Sequence, residues 1–135
     1  CFAHGGQLAQ MNLGRRIQGF DGRPDLFEGK EHPRKAVGHK NIFFDTLVHD
    51  TGSLDLLIKN QGSKQVLMGL DDPYPLGEME SKPQSSYPGK LLDLAIERNI
   101  ISEKEYDDIW EHNVIQWLCG DDDAAKGKLI NRILN

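Results

Sequence analysis

The sequence predicts an α/β fold built on parallel strands, and three observations point to it. Short continuous apolar runs recur at Cys1-Phe2-Ala3, in "NIFFDTLVHD" (Ile42, Phe43, Phe44, Leu47, Val48) and in "QVLMGLDD" (Val66, Leu67, Met68, Leu70). Runs of this kind suit strands covered on both faces. A helical pattern, "TGSLDLLIKNQG", lies between the second run and the third, giving strand, helix, strand. Finally, three strands leave both sheet edges open, and 135 residues fall short of the ~250 typical of an eight-stranded barrel. The pattern therefore reads as the last three strand–helix units, about strands 6–8, of a (β/α)8 TIM-type barrel. Residues 1–135 are expected to form the C-terminal part of one such domain, its N-terminal part absent.

The helices follow from spacing. Leu54, Leu57 and Ile58 fall at i, i+3, i+4, with Asp50 or Thr51 as N-cap and Gly62 as the stop. A Pro-rich loop, "DDPYPLGEMESKPQSSYPG", leads into "GKLLDLAIERN", where Leu91, Leu92, Ala95 and Ile96 share a face. Ser102 with Glu105 three residues on is a capping box, opening a helix that carries Ile109, Trp110, Asn113, Val114, Trp117 and Leu118 to Gly120. The aromatic stripe Ile109/Trp110/Val114/Trp117 is expected in the core, and Cys119 is expected buried rather than reactive. Residues 121–135 form a helical tail with Leu129, Ile130, Ile133 and Leu134 apolar. The segment from Met11 to Lys40 is rich in Gly, Pro and charge; a short helix beginning near Asn12 would pack Ile17 and Phe20.

Composition narrows the class. Hydrophobic content of 38% and charged content of 27% place the chain among globular proteins. A net charge of -5 leaves no basic footprint for nucleic acid. No apolar stretch approaches the ~18 residues of a membrane span. Cys1 and Cys119 are far apart without CxxC spacing, which fits a reducing, cytoplasmic compartment and no cysteine zinc site. The chain opens on Cys1, with no initiator methionine and no signal peptide, and is expected to be a piece of a longer one.

Barrel enzymes carry their catalytic groups at the C-terminal ends of strands. The candidates by that rule are His4, Asp45 or His49-Asp50, and Asp71-Asp72. His4 and Asp71, at neighbouring strand ends, could be metal ligands or a proton-transfer pair. Each also has a plainer reading, His4 as a hydrogen-bonding rim residue and Asp71 as a turn cap. His49-Asp50-Thr51 reads best as a helix entry. His32, His39 and His112 show no ligand spacing and are expected at the surface.

Four ordered stretches sharpen this. "CFAHGG", "LGRRIQGFDGRPDL", "FFDTLVHDTGSLDLLI" and "QVLMGLDDPYPLGE", with "HNVIQWL" near the end, resemble the C-terminal half of the aminocarboxymuconate-semialdehyde decarboxylase family. That family belongs to the metal-dependent amidohydrolase superfamily. The resemblance runs from Cys1 to about Leu118. It implies that His4 is the acid/base beside a metal-bound water and that Asp71 is a zinc ligand. It also implies that Arg15 reaches into a neighbouring subunit's site to hold a substrate carboxylate, and that Tyr74 is an aromatic pocket residue. The family's remaining zinc ligands, a strand-one HxH pair and a strand-five histidine, lie upstream of the position matching Cys1.

The resemblance thus implies a zinc-dependent, non-oxidative decarboxylase of 2-amino-3-carboxymuconate 6-semialdehyde. That reaction belongs to the tryptophan–kynurenine pathway and limits quinolinate and NAD synthesis. The enzyme would be a cytosolic homodimer. Asp71 alone cannot hold a catalytic zinc, which needs about three or four protein ligands, so the 135 residues by themselves are expected to be inactive. Two departures bear on substrate: the family's "HGGG" is "HGGQ" here, so Gln7 crowds the approach, and Asp72 adds a negative charge beside the metal position. They leave open a related hydrolase or a decarboxylase of another aromatic acid. A third possibility is a non-catalytic product that binds an intact subunit.

Overall fold

The computed structural model describes residues 1–78 and 86–134. Part of the Pro-rich loop, 79–85, and the last residue of the tail, Asn135, lie outside the described residues.

The strand–helix–strand unit forms as the periodicity predicts. Strand β1 (Phe44–Asp45) pairs in parallel with β2 (Val66–Leu67), Phe44 opposite Val66 and Asp45 opposite Leu67. Helix α3 (Thr51–Gln61) makes the crossover between them. Its start is fixed by Asp50, whose carboxylate accepts from the Ser53 N–H at 2.9 Å. Its end is fixed by Gly62 at φ 85°, whose N–H returns to the Ile58 carbonyl. Leu54 and Leu57 are fully buried on its inner face.

The strands are shorter than the apolar runs. Cys1-Phe2-Ala3 supplies a single parallel bridge, Phe2 to Phe44, rather than the expected strand. The Phe2 N–H donates to the Phe43 carbonyl and the Asp45 N–H to the Phe2 carbonyl. Among the described residues no strand pairs with its far side and Phe2 is 58% exposed, and an isolated edge residue has only one partner to hold it extended. The resulting order is Phe2, β1, β2. His4 and Asp71 therefore follow strand ends on opposite sides of β1 and not, as expected from sequence, neighbouring ones.

The core gathers Phe44, Leu54, Leu57 and Val66 with Leu91, Leu92 and Ala95 of helix α4 (Lys90–Glu97), and with Ile101 and Ile109. Gly89 precedes α4 and has no side chain to cap it. Glu78 does so across the loop, its carboxylate accepting from the N–H groups of Gly89 and Leu91 at 2.8 and 2.9 Å.

The helix from Ser102 to Gly120 is not continuous. After α5 (Glu103–Asp107), opened by the Ser102–Glu105 capping box, the chain widens into a π turn at Asp108–His112 before α6 (Asn113–Cys119). The Asn113 N–H bonds to the Asp108 carbonyl, one residue beyond its α-helical acceptor. That releases the Ile109 carbonyl, which accepts from the Met68 N–H at 3.0 Å. The Asn113 side chain then donates to the carbonyls of Ser63 and Val66 at 2.9 and 2.8 Å. The widened turn thus docks onto the β2 edge.

The extra residue rotates the helical phase and overturns the expected core stripe. Ile109 and Asn113 are buried, whereas Trp110 lies at the surface and Trp117 is 43% exposed. Trp110 stacks on Tyr106 at 5.9 Å and covers Gly89, where a Cβ would meet its ring at 2.4 Å. Cys119 is half-buried rather than enclosed.

Helix α1 (Leu8–Met11) and helix α2 (Leu13–Gly22) follow the first turn, and α2 begins where Ile17 and Phe20 required it. Phe20 packs on Phe27 and on the edge of His32, so His32 is half-buried rather than at the surface. The tail is helical as α7 (Asp123–Leu134), with no buried residue.

Replacing Asn113 by leucine removes the side-chain donor to the carbonyls of Ser63 and Val66, of which Ser63 keeps the Val66 N–H. The expected loss is ~1–3 kcal/mol of stability, read as a fall in the urea midpoint at unchanged slope. Leu92→Ala, at a site with no exposure, is expected to cost ~2–5 kcal/mol in the same measurement.

Candidate active site

The chemistry-bearing residues after the three strand segments all sit on left-handed backbone: His4 at φ 53°, His49 at φ 67° and Asp71 at φ 57°. A side chain in this region is disfavoured unless its surroundings hold it there. For His4 those surroundings are visible.

His4, Gly5 and Gly6 form one 3-10 turn at the exit of the Phe2 segment. The next residue, Gly5, is gripped at both its N–H and its carbonyl. Asp45, at the end of β1, accepts from the Gly5 N–H at 3.1 Å and, with the same oxygen, from its own chain at Leu47, also at 3.1 Å. The Gly5 carbonyl accepts from the side-chain amide of Gln10 at 3.2 Å. Gly5 cannot be replaced here, because at φ 60° a Cβ would stand 2.3 Å from Val48 Cγ1. Across the sheet, Gly69 lies against Asp45, where a Cβ would come within 2.7 Å of the Asp45 Cβ.

His4 lines a cleft of about 760 Å³ together with His49. The two imidazoles face one another with ring centroids 6.5 Å apart and planes 29° from parallel. Leu8, Met11, Leu47, Leu56 and Leu76 give the cleft apolar walls, and Gln7 and Asp50 stand at its polar side. Asp50 is not a free carboxylate. Hydrogen bonds from the Ser53 hydroxyl and N–H hold it below the usual carboxylate range, so it serves as the N-cap of α3.

The other residues singled out from sequence lie elsewhere. Asp71 is half-buried on the far side of β1, where its carbonyl accepts from the Tyr74 N–H at 2.7 Å. Its corner is backed by Gly77, whose Cβ would collide with the carbonyls of Leu70 and Asp71. Tyr74 is exposed, and Leu76 rather than Tyr74 reaches the cleft wall. Arg15 is exposed on α2 and does not line the cleft of its own chain. Among the described residues, no three His, Cys, Asp or Glu side chains come together to hold a metal ion.

Sequence reading missed Gln10 and Gln61. Both are buried, and a chain of amides joins them. Gly38 N–H donates to Gln61 Oε1 at 3.3 Å, Gln61 Nε2 to Gln10 Oε1 at 2.9 Å, and Gln10 Nε2 to the Gly5 carbonyl. No motif marks a buried glutamine; the position of Gln10 six residues after His4 is the only sequence clue.

Two outcomes follow. Gln7 sits at φ 48°, ψ -125°, a region that suits glycine. Gln7→Gly is therefore expected to stabilise the chain by ~1 kcal/mol or more in chemical denaturation. Asp50→Ala is expected to cost ~0.5–2 kcal/mol at neutral pH. Because the Asp50 carboxyl is depressed in the fold, its contribution is complete above the ordinary carboxylate range and is lost as pH falls through and below it. The gap between the two proteins, measured from pH 7 down to pH 3, should close accordingly.

No protein-family model matches the chain. It is 35% identical over 117 residues to 2-amino-3-carboxymuconate-6-semialdehyde decarboxylase of Dictyostelium discoideum, a match that takes in 85% of this chain and 28% of that protein. The protein of the same name from Caenorhabditis elegans is 35% identical over 130 residues, 95% of this chain and 29% of its own length. The crystal structure of Metarhizium anisopliae IDCase in apo form superposes with a TM-score of 0.63 at 18% identity. That superposition covers 86% of this chain and 32% of the other, and is a likeness of fold. The chain is a segment like those of the 2-amino-3-carboxymuconate-6-semialdehyde decarboxylases, spanning less than a third of the length of the relatives it matches.

Proposed function

We propose that this chain forms about strands 6–8 of a (β/α)8 barrel decarboxylase and contributes its acid/base. The observation that carries the reading is His4. It stands on a left-handed corner in an apolar-walled cleft, within a chain 35% identical over most of its length to two decarboxylases of one name. The substrate class is a conjugated amino-dicarboxylate semialdehyde, as in the relatives' name, from the breakdown of tryptophan. The complete enzyme is zinc-dependent and works in the cytosol.

Decarboxylation breaks the bond between carbon and a departing carboxylate, and the electron pair stays on that carbon. A proton must then be delivered to it. An imidazole titrating near neutrality is suited to that transfer in either direction. His4 as the imidazolium gives its proton to the carbon and is left neutral, while carbon dioxide departs from a cleft whose leucine walls disfavour the charged carboxylate. Arg15, with its forked donors, is suited to grip a second carboxylate. Its outward placement on α2 supports action on a neighbouring subunit of a homodimer. Tyr74 would border the same substrate.

Asp71 is assigned to the metal side of the barrel. One carboxylate does not make a zinc site, so in this reading the other ligands come from the rest of the barrel and the 135 residues are inactive alone. Among the described residues, no helix is long and apolar enough to cross a membrane.

The test is made in a complete barrel carrying this segment. His4→Gln is expected to lower kcat on the muconate semialdehyde by ~10²-fold or more while leaving metal content unchanged. Asp71→Asn is expected to lower bound zinc, measured by emission spectroscopy. Full turnover in His4→Gln would overturn the acid/base assignment, and unchanged zinc in Asp71→Asn the ligand assignment. Turnover of simple aromatic acids in place of the semialdehyde would move the substrate class.

A further inference from the structure

Gln10 and Gln61 are buried side chains that the proposed reaction does not use, yet they end on the peptide beside His4. The direction of their hydrogen bonds is set from one end. Gly38 offers an N–H, so the group of Gln61 that faces it at 3.3 Å is the carbonyl oxygen. The Gln61 amide nitrogen must then face Gln10, and it meets Oε1 at 2.9 Å. Gln10 is left with its nitrogen toward the Gly5 carbonyl at 3.2 Å. Asn60 fixes the backbone of the same residue, donating to the Gln10 carbonyl at 3.0 Å. No amide in this series can turn over without setting two donors or two acceptors face to face.

We propose that Gln10 and Gln61 are positioning residues for His4, coupling its presentation to the irregular segment that ends near Gly38. The idea rests on the reading of His4 as the reactive imidazole. Gly5 is held by Asp45 at its N–H and by Gln10 at its carbonyl, directly after the left-handed turn of His4. At the other end, Gly38 N–H holds the Gln61 side chain and packs on the backbone of the same residue, a Cβ on Gly38 lying 3.1 Å from the Gln61 main-chain carbonyl. A shift of the Gly38 segment therefore pulls on Gln61, then Gln10, then the Gly5 peptide. The relay works in series, so losing either glutamine frees the same peptide.

The experiment follows His4 itself, with no turnover needed. The chain is acylated with diethyl pyrocarbonate, and the rate at each histidine is read by peptide mass spectrometry. His39 and His112, both exposed, serve as references in the same molecule. Gln10→Met and Gln61→Met keep length and remove the hydrogen bonds. Each is expected to change the His4 rate against the references by about threefold or more, and the double variant no further than Gln10→Met alone. Leu92→Ala, remote from the relay, supplies the control for lost stability and should leave the ratio unchanged. Should Gln10→Met not fold, Gln61→Met carries the test from the far end of the relay. An unchanged ratio in the glutamine variants, or an equal change in Leu92→Ala, overturns the proposal. A complete enzyme that turned over normally as His4→Gln would remove the acid/base reading while leaving the relay intact.

Discussion

The carboxylate of Asp45 is the point on which the arrangement turns. It stands where β1 ends, and one oxygen receives two N–H groups, from Gly5 and from Leu47. A charged acceptor holds such donors more firmly than a neutral one. The first donor ties the exit of the Phe2 segment to the sheet, and the second bends the chain away toward α3. Gly69, at the exit of β2, presses its backbone on the same side chain. Three chain exits meet at one group, and the cleft opens beside it.

Because the strands are only two residues long, the sheet cannot hold these exits by ladder hydrogen bonds alone. The remaining rigidity comes from polar groups reaching in from outside. Asn113 and the freed Ile109 carbonyl secure the outer side of β2. Gln10 and Gln61 secure the side of the Phe2 segment. The π turn at Asp108–His112 belongs to this pattern: a regular α-turn would use the Ile109 carbonyl internally and leave the Met68 N–H without it. Apolar packing by Leu54, Leu57, Leu92 and Ile109 supplies the bulk of burial, and the polar contacts decide where the ends point.

The cleft carries a functional logic of its own. Two imidazoles face across it at 6.5 Å, with leucine and methionine walls between polar ends. Apolar walls strengthen any charge interaction made inside. Arg15 and Tyr74 do not line this cleft, so their proposed roles belong to a larger assembly than one copy of this segment.

Sequence by itself determined the strand–helix–strand unit, the limits of α3, the capping box at Ser102 and the turn at His4. Each depends on neighbours along the chain: apolar spacing, an N-cap, a glycine stop, a histidine before two glycines. Only the tertiary structure decided that Cys1–Ala3 gives one bridge rather than a strand, because pairing needs a second edge. It alone moved Trp110 and Trp117 outward, since the π turn answers a contact with Met68 that spacing cannot register. It also separated His4 from Asp71 by the width of β1. The buried glutamines were beyond reach for the same reason: they meet one another across 51 residues of chain, and nothing local distinguishes them from glutamines at the surface.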